Sequence, residues 1–181
     1  MMKRVLLTLA IVALASNVAY PQTQKADNAK PVQVGEVVPF GENLFVKVVK
    51  STKPFEGIKV KGQPVVVVLE MDAGKAGATL FYHLTSNPAT TDLFLLSGVK
   101  KLAPRAVIED FPSWGTDNDK EVDTLDPAET VGGVTLNFQQ KGSIALLFDV
   151  PLEDVKTQKK FSVALRMVQP KDERRSFVVP L

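Results

Sequence analysis

The sequence has no cysteine, and it has only one histidine and one tryptophan among its 181 residues. Without cysteine the chain forms no disulfides and offers no residue for a bacterial lipid anchor. A zinc site is also disfavoured, because such sites usually combine several nitrogen or sulfur ligands. These absences predict a cofactor-free domain that an apolar core holds together.

The chain also lacks an apolar run long enough for a membrane-spanning helix. Residues 5–14 would form a helix of roughly 15 Å, about half of the ~30 Å hydrocarbon core. This run follows Lys3 and Arg4 and is followed by small residues up to Ala15 or Ala19, which is the layout of a secretory signal peptide. We therefore expect residues 1–19 to be a signal peptide, 20–34 a flexible lead-in and 35–181 one domain, periplasmic or secreted, with no permanent membrane span.

A large charge of one sign is missing as well. The formal net charge is +2, and Lys3 and Arg4 are the only charged residues before residue 20. Removal of the leader leaves a nearly neutral chain of about 160 residues, large enough to bury one core. Overall neutrality removes the electrostatic basis for a general role in binding nucleic acid or anionic membranes.

Alternating apolar and polar residues dominate the rest of the chain, and no long helical period occurs. This period of two is typical of strands that bury one face. The pattern predicts strands at residues 43–50, 64–71, 79–84, 93–96, 106–108, 131–139, 142–151, 161–168 and 177–179, with at most one helical turn at 153–155. The sequence therefore predicts an all-β, immunoglobulin-like antiparallel β-sandwich of about 7–9 strands.

Residues 142–151 form the strand around which we expect the domain to be organised. Ile144, Leu146, Phe148 and Val150 alternate along it and would share one buried face. Pro151 would end the strand, because proline has no N–H to donate. The run from residue 65 to residue 69 has no polar interruption and predicts a central strand covered on both faces.

The second half of the chain carries short motifs at Leu125-Asp126-Pro127-Ala128-Glu129, at Gly142-Ser143 and at Phe148-Asp149-Val150-Pro151. With the valine-rich run 65–69, these motifs resemble a bacterial secreted family of unknown function that has a telokin-like, immunoglobulin-like sandwich. The resemblance covers residues 35–168 and implies an exported location. Many members are lipoproteins, whereas this chain has no cysteine for a lipid, and the resemblance transfers no catalytic residue.

Acidic residues alternate at Asp117, Asp119, Glu121 and Asp123. Carboxylates at every second position could converge on Ca²⁺, which takes six to eight oxygen ligands. The spacing fails the EF-hand template, because Val122 replaces the turn glycine and Ala128 replaces the bidentate glutamate. A solvated acidic loop is the alternative, and it is the usual fate of a run of one charge.

Opposite charges also gather in two regions of the sequence. Residues 109–129 contain eight acidic residues and one lysine, whereas residues 156–175 contain seven basic and two acidic residues. These regions could attract a partner or pair with each other.

Three residues are candidates for recognition: Trp114, Tyr82 and His83. Trp114 lies in a Pro/Gly-framed loop, where it would be either an exposed binding anchor or a buried cap on one end of the sandwich. His83 shares a strand face with Phe81 and lies opposite Tyr82.

A hydrolase would need His83 as its base, yet no Gly-x-Ser-x-Gly motif is present. Glu109 and Asp110 are neighbours that point to opposite faces, so they do not form a catalytic pair.

These observations predict an exported, non-enzymatic immunoglobulin-like module that binds a protein, peptide or glycan through end loops or a sheet edge. One alternative is a Ca²⁺-stabilised structural domain that uses the acidic residues 117–123. The other is a hydrolase of unrecognised type.

Overall fold

A computed structural model describes residues 31–52, 55, 57–112, 120–130 and 132–181, with only the backbone for 111–112 and 120–123. The compact unit spans Pro31–Leu181. Val32 packs against its core. The folded unit therefore includes the last residues of the expected lead-in.

The described chain forms twelve strands and two short 3₁₀ turns, which confirms the all-β class. The turns are Gly74–Ala76 and Leu152–Asp154. The strands are β1 (Val37–Phe40), β2 (Leu44–Ser51), β3 (Gln63–Asp72), β4 (Ala78–His83), β5 (Leu93–Ser97), β6 (Lys100–Leu102), β7 (Ala106–Pro112), β8 (Lys120–Leu125), β9 (Gly133–Phe138), β10 (Lys141–Val150), β11 (Lys159–Gln169) and β12 (Glu173–Pro180).

These strands form two antiparallel sheets. Sheet 1 has the order β1-β2-β3-β10-β7-β8. Sheet 2 has the order β6-β5-β11-β4-β9, with β12 paired to β11. The predicted β-sandwich is therefore confirmed, whereas the predicted number of strands was too low.

Strand β10 is central to sheet 1, as the alternation at 142–151 predicts. It pairs with β3 along its whole length and with β7 through Ser143 to Leu147. Ile144, Leu146, Phe148 and Val150 are all buried in the main core between the sheets. The Phe148 ring meets the Phe161 ring of sheet 2 edge to face, with their centroids 5.9 Å apart.

A second, smaller apolar layer covers part of the outer face of sheet 1. Its buried members are Phe55, Val66, Ala106 and Leu147. Ile58 and Val60 pack against them from the connection between β2 and β3. The middle of β3 is therefore covered on both faces, because Val67 and Leu69 lie in the main core while Val66 lies in this outer layer.

The sequence pattern missed three strands, and each lies at a sheet edge and is short or charged. Strand β1 has four residues, VVPF, and lies at one edge of sheet 1. Strand β6 has three residues and lies at the edge of sheet 2, and β8 lies at the edge of sheet 1 with the sequence KEVDTL. Charged edge strands resist pairing with other chains. Because such strands carry polar residues on both faces, their sequence does not alternate between apolar and polar residues. Positions 120–123, which the sequence analysis assigned to a loop, are therefore strand.

No helix in the described residues is long and apolar enough to cross a membrane.

Candidate functional site

A groove of about 590 Å³ opens on the outer face of sheet 1. Its floor is apolar and includes Val37 of β1, Phe45 of β2 and Val68 of β3. Phe45 is 45% exposed and Val37 is 54% exposed. Both side chains therefore face solvent, and the register places Val37 opposite Lys47 and Phe45 opposite Pro39.

The groove exists because the covering layer of sheet 1 ends part of the way along the strands. Phe55, Ile58 and Val60 pack with Val66 and Leu147, and Val68 is the last residue along β3 that packs against this layer. The next outward positions on β3 are Glu70 and Asp72, since successive side chains alternate between faces. The outer face therefore changes from covered and apolar to open and charged.

Charged residues of both signs form the rim of the groove. Lys47 forms an ion pair with Glu70, its partner across β2 and β3. Lys141 Nζ lies 3.7 Å from Asp72 Oδ2. Asp110 lies opposite Ser143 in the register of β7 and β10. Exposed ion pairs of this kind contribute about 0–1 kcal/mol, so a ligand can replace them at little cost.

His83 does not sit in a catalytic arrangement with a serine in the described residues. Its Nδ1 lies 2.9 Å from Asp92 Oδ2, which also accepts the His83 backbone N–H at 2.7 Å. The Asp92 N–H donates to the His83 carbonyl at 2.9 Å. These contacts join the end of β4 to the start of β5, because both strands pair with the same long strand β11. The pair therefore closes the 84–92 loop.

Tyr82 is a residue of the main core. Its side chain is fully buried, because positions 78, 80 and 82 of β4 face the main core. Its hydroxyl donates a hydrogen bond to Glu109 of β7, which is also buried. Tyr82 is therefore buried and its part in recognition stays a prediction, while the predicted opposite facing of Tyr82 and His83 is confirmed.

The remaining predicted site residues lie in or next to the 113–119 segment. Trp114, Asp117 and Asp119 are outside the described residues. Glu121 and Asp123 lie on β8, where the register places them opposite Phe111 and Glu109. Within the described residues, no group of three or more potential metal-ligating side chains comes together. The Ca²⁺ interpretation therefore stays a prediction.

The groove residues Val37, Phe45 and Lys47 were not singled out from the sequence. Each looks like an ordinary outward position of a strand, and only the order and register of five strands brings them together. The available signal was weak: a phenylalanine on the polar side of β2 in the same phase as Lys47.

No protein-family model matches the chain, and a search of curated proteins finds no match. The telokin-like resemblance therefore stays a prediction.

Several solved structures align with the chain at low identity. An uncharacterised β-sandwich protein from Clostridium difficile 630 has 9% identity and a TM-score of 0.39, with 88% of this chain and 99% of that one covered. The sporulation control protein Spo0M from Bacillus subtilis has 12% identity and a TM-score of 0.31, and the match covers 77% of this chain and 50% of Spo0M. A DUF4466 family protein from Parabacteroides merdae has 11% identity and a TM-score of 0.34, with 75% of this chain and 42% of that one covered. This chain thus spans about half the length of Spo0M, and none of these similarities bears on its function.

Proposed function

We propose that the protein is an exported, non-enzymatic module that binds a segment of a protein or peptide in the groove on sheet 1. The observation that carries this proposal is the exposure of Phe45 and Val37 on the groove floor, beside the Lys47–Glu70 ion pair. Large apolar side chains exposed together on a soluble surface commonly mark binding sites.

The groove suits a peptide segment because it offers three kinds of contact. Phe45 and Val37 can cover an apolar side chain of the ligand, since aromatic residues supply much of the energy of protein interfaces. Glu70 and Asp72 can accept from ligand N–H groups, and Lys47 and Lys141 can donate to ligand carbonyls. Positive and negative charges are nearly equal in number around the rim. This favours a polar ligand of low net charge, such as a peptide backbone, over a ligand with a large net charge.

Strand addition at the β1 edge is the weaker mode of binding. The Pro39 carbonyl accepts a hydrogen bond from Arg175 Nη1 at 2.6 Å. Arg175 therefore already occupies this carbonyl, and Pro39 has no N–H with which to pair an added strand. Proline and a covering side chain are devices that blunt a sheet edge.

The test is capture of envelope proteins with matched surface variants. We expect Phe45→Ser to lose capture of at least one polypeptide that the wild-type chain retains, while Val178→Ser keeps it. Val178 is a suitable control, because it is 39% exposed but lies on β12 of sheet 2. A peptide from the captured protein should then bind about tenfold more weakly to Phe45→Ser, which corresponds to the loss of one buried aromatic contact.

Two results would contradict the proposal. The first is a set of captured proteins that Phe45→Ser leaves unchanged. The second is a glycan array on which the wild-type chain binds sugars in a Phe45-dependent manner while no peptide competes.

The two alternatives keep their own tests. A Ca²⁺-stabilised domain predicts a higher melting temperature in millimolar Ca²⁺ than with chelator. A hydrolase that uses His83 predicts an activity that His83→Ala removes. No described contact favours either alternative over the groove.

A further inference from the structure

One end of the sandwich carries exposed aliphatic side chains on two adjoining turns. Val99 lies in the β5–β6 turn and is 98% exposed, and Leu152 follows β10 and is 70% exposed. The Gly98 N–H donates to the Gln158 carbonyl at 3.2 Å, which joins the two turns. We call residues 97–100 and 151–158 the tip.

The tip is held firmly although its apolar side chains face solvent. Lys159 Nζ donates to the carbonyls of Asp154, Val155 and Thr157, each at 2.6 Å. Lys100 Nζ lies 2.9 Å from Asp154 Oδ2 and fastens the first turn to the second. These contacts hold the backbone of the turns that carry Val99 and Leu152, whose side chains are exposed.

Basic residues surround the tip. Residues 98–105 and 151–160 contain six lysines and arginines and two acidic residues. Glu153 and Asp154, the two acidic residues, both lie within 4 Å of Lys100 Nζ. Lys156 and Lys160 are exposed. The local surplus is therefore positive, even though the chain without residues 1–19 is formally neutral.

The acidic residues of β7 and β8 that the structure describes lie at both ends of these strands. Asp110 pairs with Ser143 at the end remote from the tip, whereas Asp126 follows Leu125, which pairs with Val107 nearer the tip. Strand β10 has ten residues, which separates its two ends by about 30 Å. That separation exceeds the Debye length of about 8 Å at physiological salt.

We propose that the tip docks on a bilayer surface that contains anionic phospholipids. Val99 and Leu152 enter the region between headgroups and acyl chains, and the surrounding lysines contact lipid phosphates. A protein partner fits this surface less well, because protein interfaces are depleted in lysine and favour aromatic anchors. The chain without residues 1–19 is neutral overall, and the proposed contact depends only on the local positive charge at the tip.

Docking at the tip leaves the groove accessible. Lys141 at the start of β10 lines the groove, and Leu152 lies just beyond the end of that strand. The groove therefore opens to the side, on the outer face of sheet 1, and its Lys141 end lies about 30 Å from the tip. This inference does not depend on the proposed function, because it concerns different residues at the opposite end of the sandwich.

The test uses residues 31–181, because both sheets and both apolar layers lie within this segment. The segment also omits the apolar run 5–14, which would bind lipid by itself. Circular dichroism and a cooperative thermal transition first establish that the segment folds. If it does not, the same variants are compared in the full chain, where run 5–14 is common to all of them.

Binding is measured by sedimentation with vesicles of three parts phosphatidylcholine to one part phosphatidylglycerol. We expect the double variant Val99→Ser/Leu152→Ser to partition about tenfold less than the wild type. Lys156→Glu/Lys160→Glu should also weaken binding, and high salt should do the same. The controls Val178→Ser and Phe45→Ser should bind as the wild type does, which separates this proposal from the groove.

Three outcomes would overturn the proposal. One is equal partition of the wild type and Val99→Ser/Leu152→Ser. Another is equal binding to vesicles of phosphatidylcholine alone. The third is a captured protein whose retention depends on Val99 and Leu152 while vesicles bind neither form, which would make the tip a protein contact.

Discussion

The Tyr82 hydroxyl on β4 donates a hydrogen bond to the Glu109 carboxylate on β7, across the interior between the two sheets. Both side chains are buried, at 0% and 6% exposure. Burial raises the pKa of the Tyr82 phenol far above its ordinary value, and the adjacent Glu109 charge and hydrogen bond raise the pKa further. The folded protein thus keeps this phenol neutral.

We expect Tyr82→Phe to lower the free energy of unfolding at pH 7 by about 1–3 kcal/mol, because Glu109 loses a buried donor. The difference in the free energy of unfolding between the wild type and Tyr82→Phe should shrink above pH 10. A raised pKa in the folded state stabilises the protein below the unfolded-state pKa of about 10, and this contribution is lost as the pH rises further. Urea unfolding of both proteins between pH 7 and pH 11 measures it.

The matched control for this pair is the cycle with Glu109→Gln. Two contacting residues should show a coupling free energy of about 0.5–3 kcal/mol. If the difference in the free energy of unfolding between the wild type and Tyr82→Phe does not change with pH up to pH 11, the raised pKa of Tyr82 is contradicted.

Leu146 and Leu147 are neighbours on β10 that belong to different apolar layers. Leu146 lies in the main core, and Leu147 lies in the outer layer with Phe55, Ile58 and Val60. We expect Leu146→Ala to lower the free energy of unfolding by about 3–5 kcal/mol and Leu147→Ala to lower it by about 2–3 kcal/mol. The cost is smaller for Leu147→Ala, because the thin outer layer can move in to fill part of the cavity that this substitution leaves. Guanidinium denaturation compares them directly, and a larger loss for Leu147→Ala would reverse the assignment of the layers.

Gly62 passes close to the end of β10. A Cβ at this position would lie 2.0 Å from the Val150 carbonyl oxygen, and the Gly62 N–H donates to Asp149 Oδ1 at 2.7 Å. We expect Gly62→Ala to cost about 3 kcal/mol, at the upper end of the range for overpacking. The control is Gly57→Ala, which meets no atom within 4 Å and has φ +77°. That change should cost only about 1–2 kcal/mol, and equal melting temperatures for the two variants would refute the close approach.

Local alternation was enough to predict most of the fold. The period of two at 142–151 identified the four core residues of β10, and the same rule separated Glu109 from Asp110. Glu109 is indeed buried, and Asp110 lines the groove. These predictions succeeded because facing within one strand depends only on sequence spacing.

The contacts between strands could not be predicted in this way. The Tyr82–Glu109 hydrogen bond joins residues 27 positions apart on different sheets. The groove likewise needs β3 beside β10, and six other strands separate these two along the chain. Strand order and register therefore supply the candidate site, and no motif in the sequence encodes them.

Lys159 and Lys160 are adjacent lysines with different surroundings, which makes them a test of how the tip is held. The Lys159 ammonium has three carbonyl partners in the 152–157 turn, whereas Lys160 is exposed. We expect Lys159→Met to cost about 1.5–3 kcal/mol, because three carbonyls lose a charged donor, and Lys160→Met to change stability by less than about 0.5 kcal/mol. Amide hydrogen exchange should quicken in residues 152–158 of Lys159→Met and stay unchanged in the strands of sheet 1. Exchange in the turn that is equally slow in both variants would mean that the backbone hydrogen bonds within the turn hold it without the lysine.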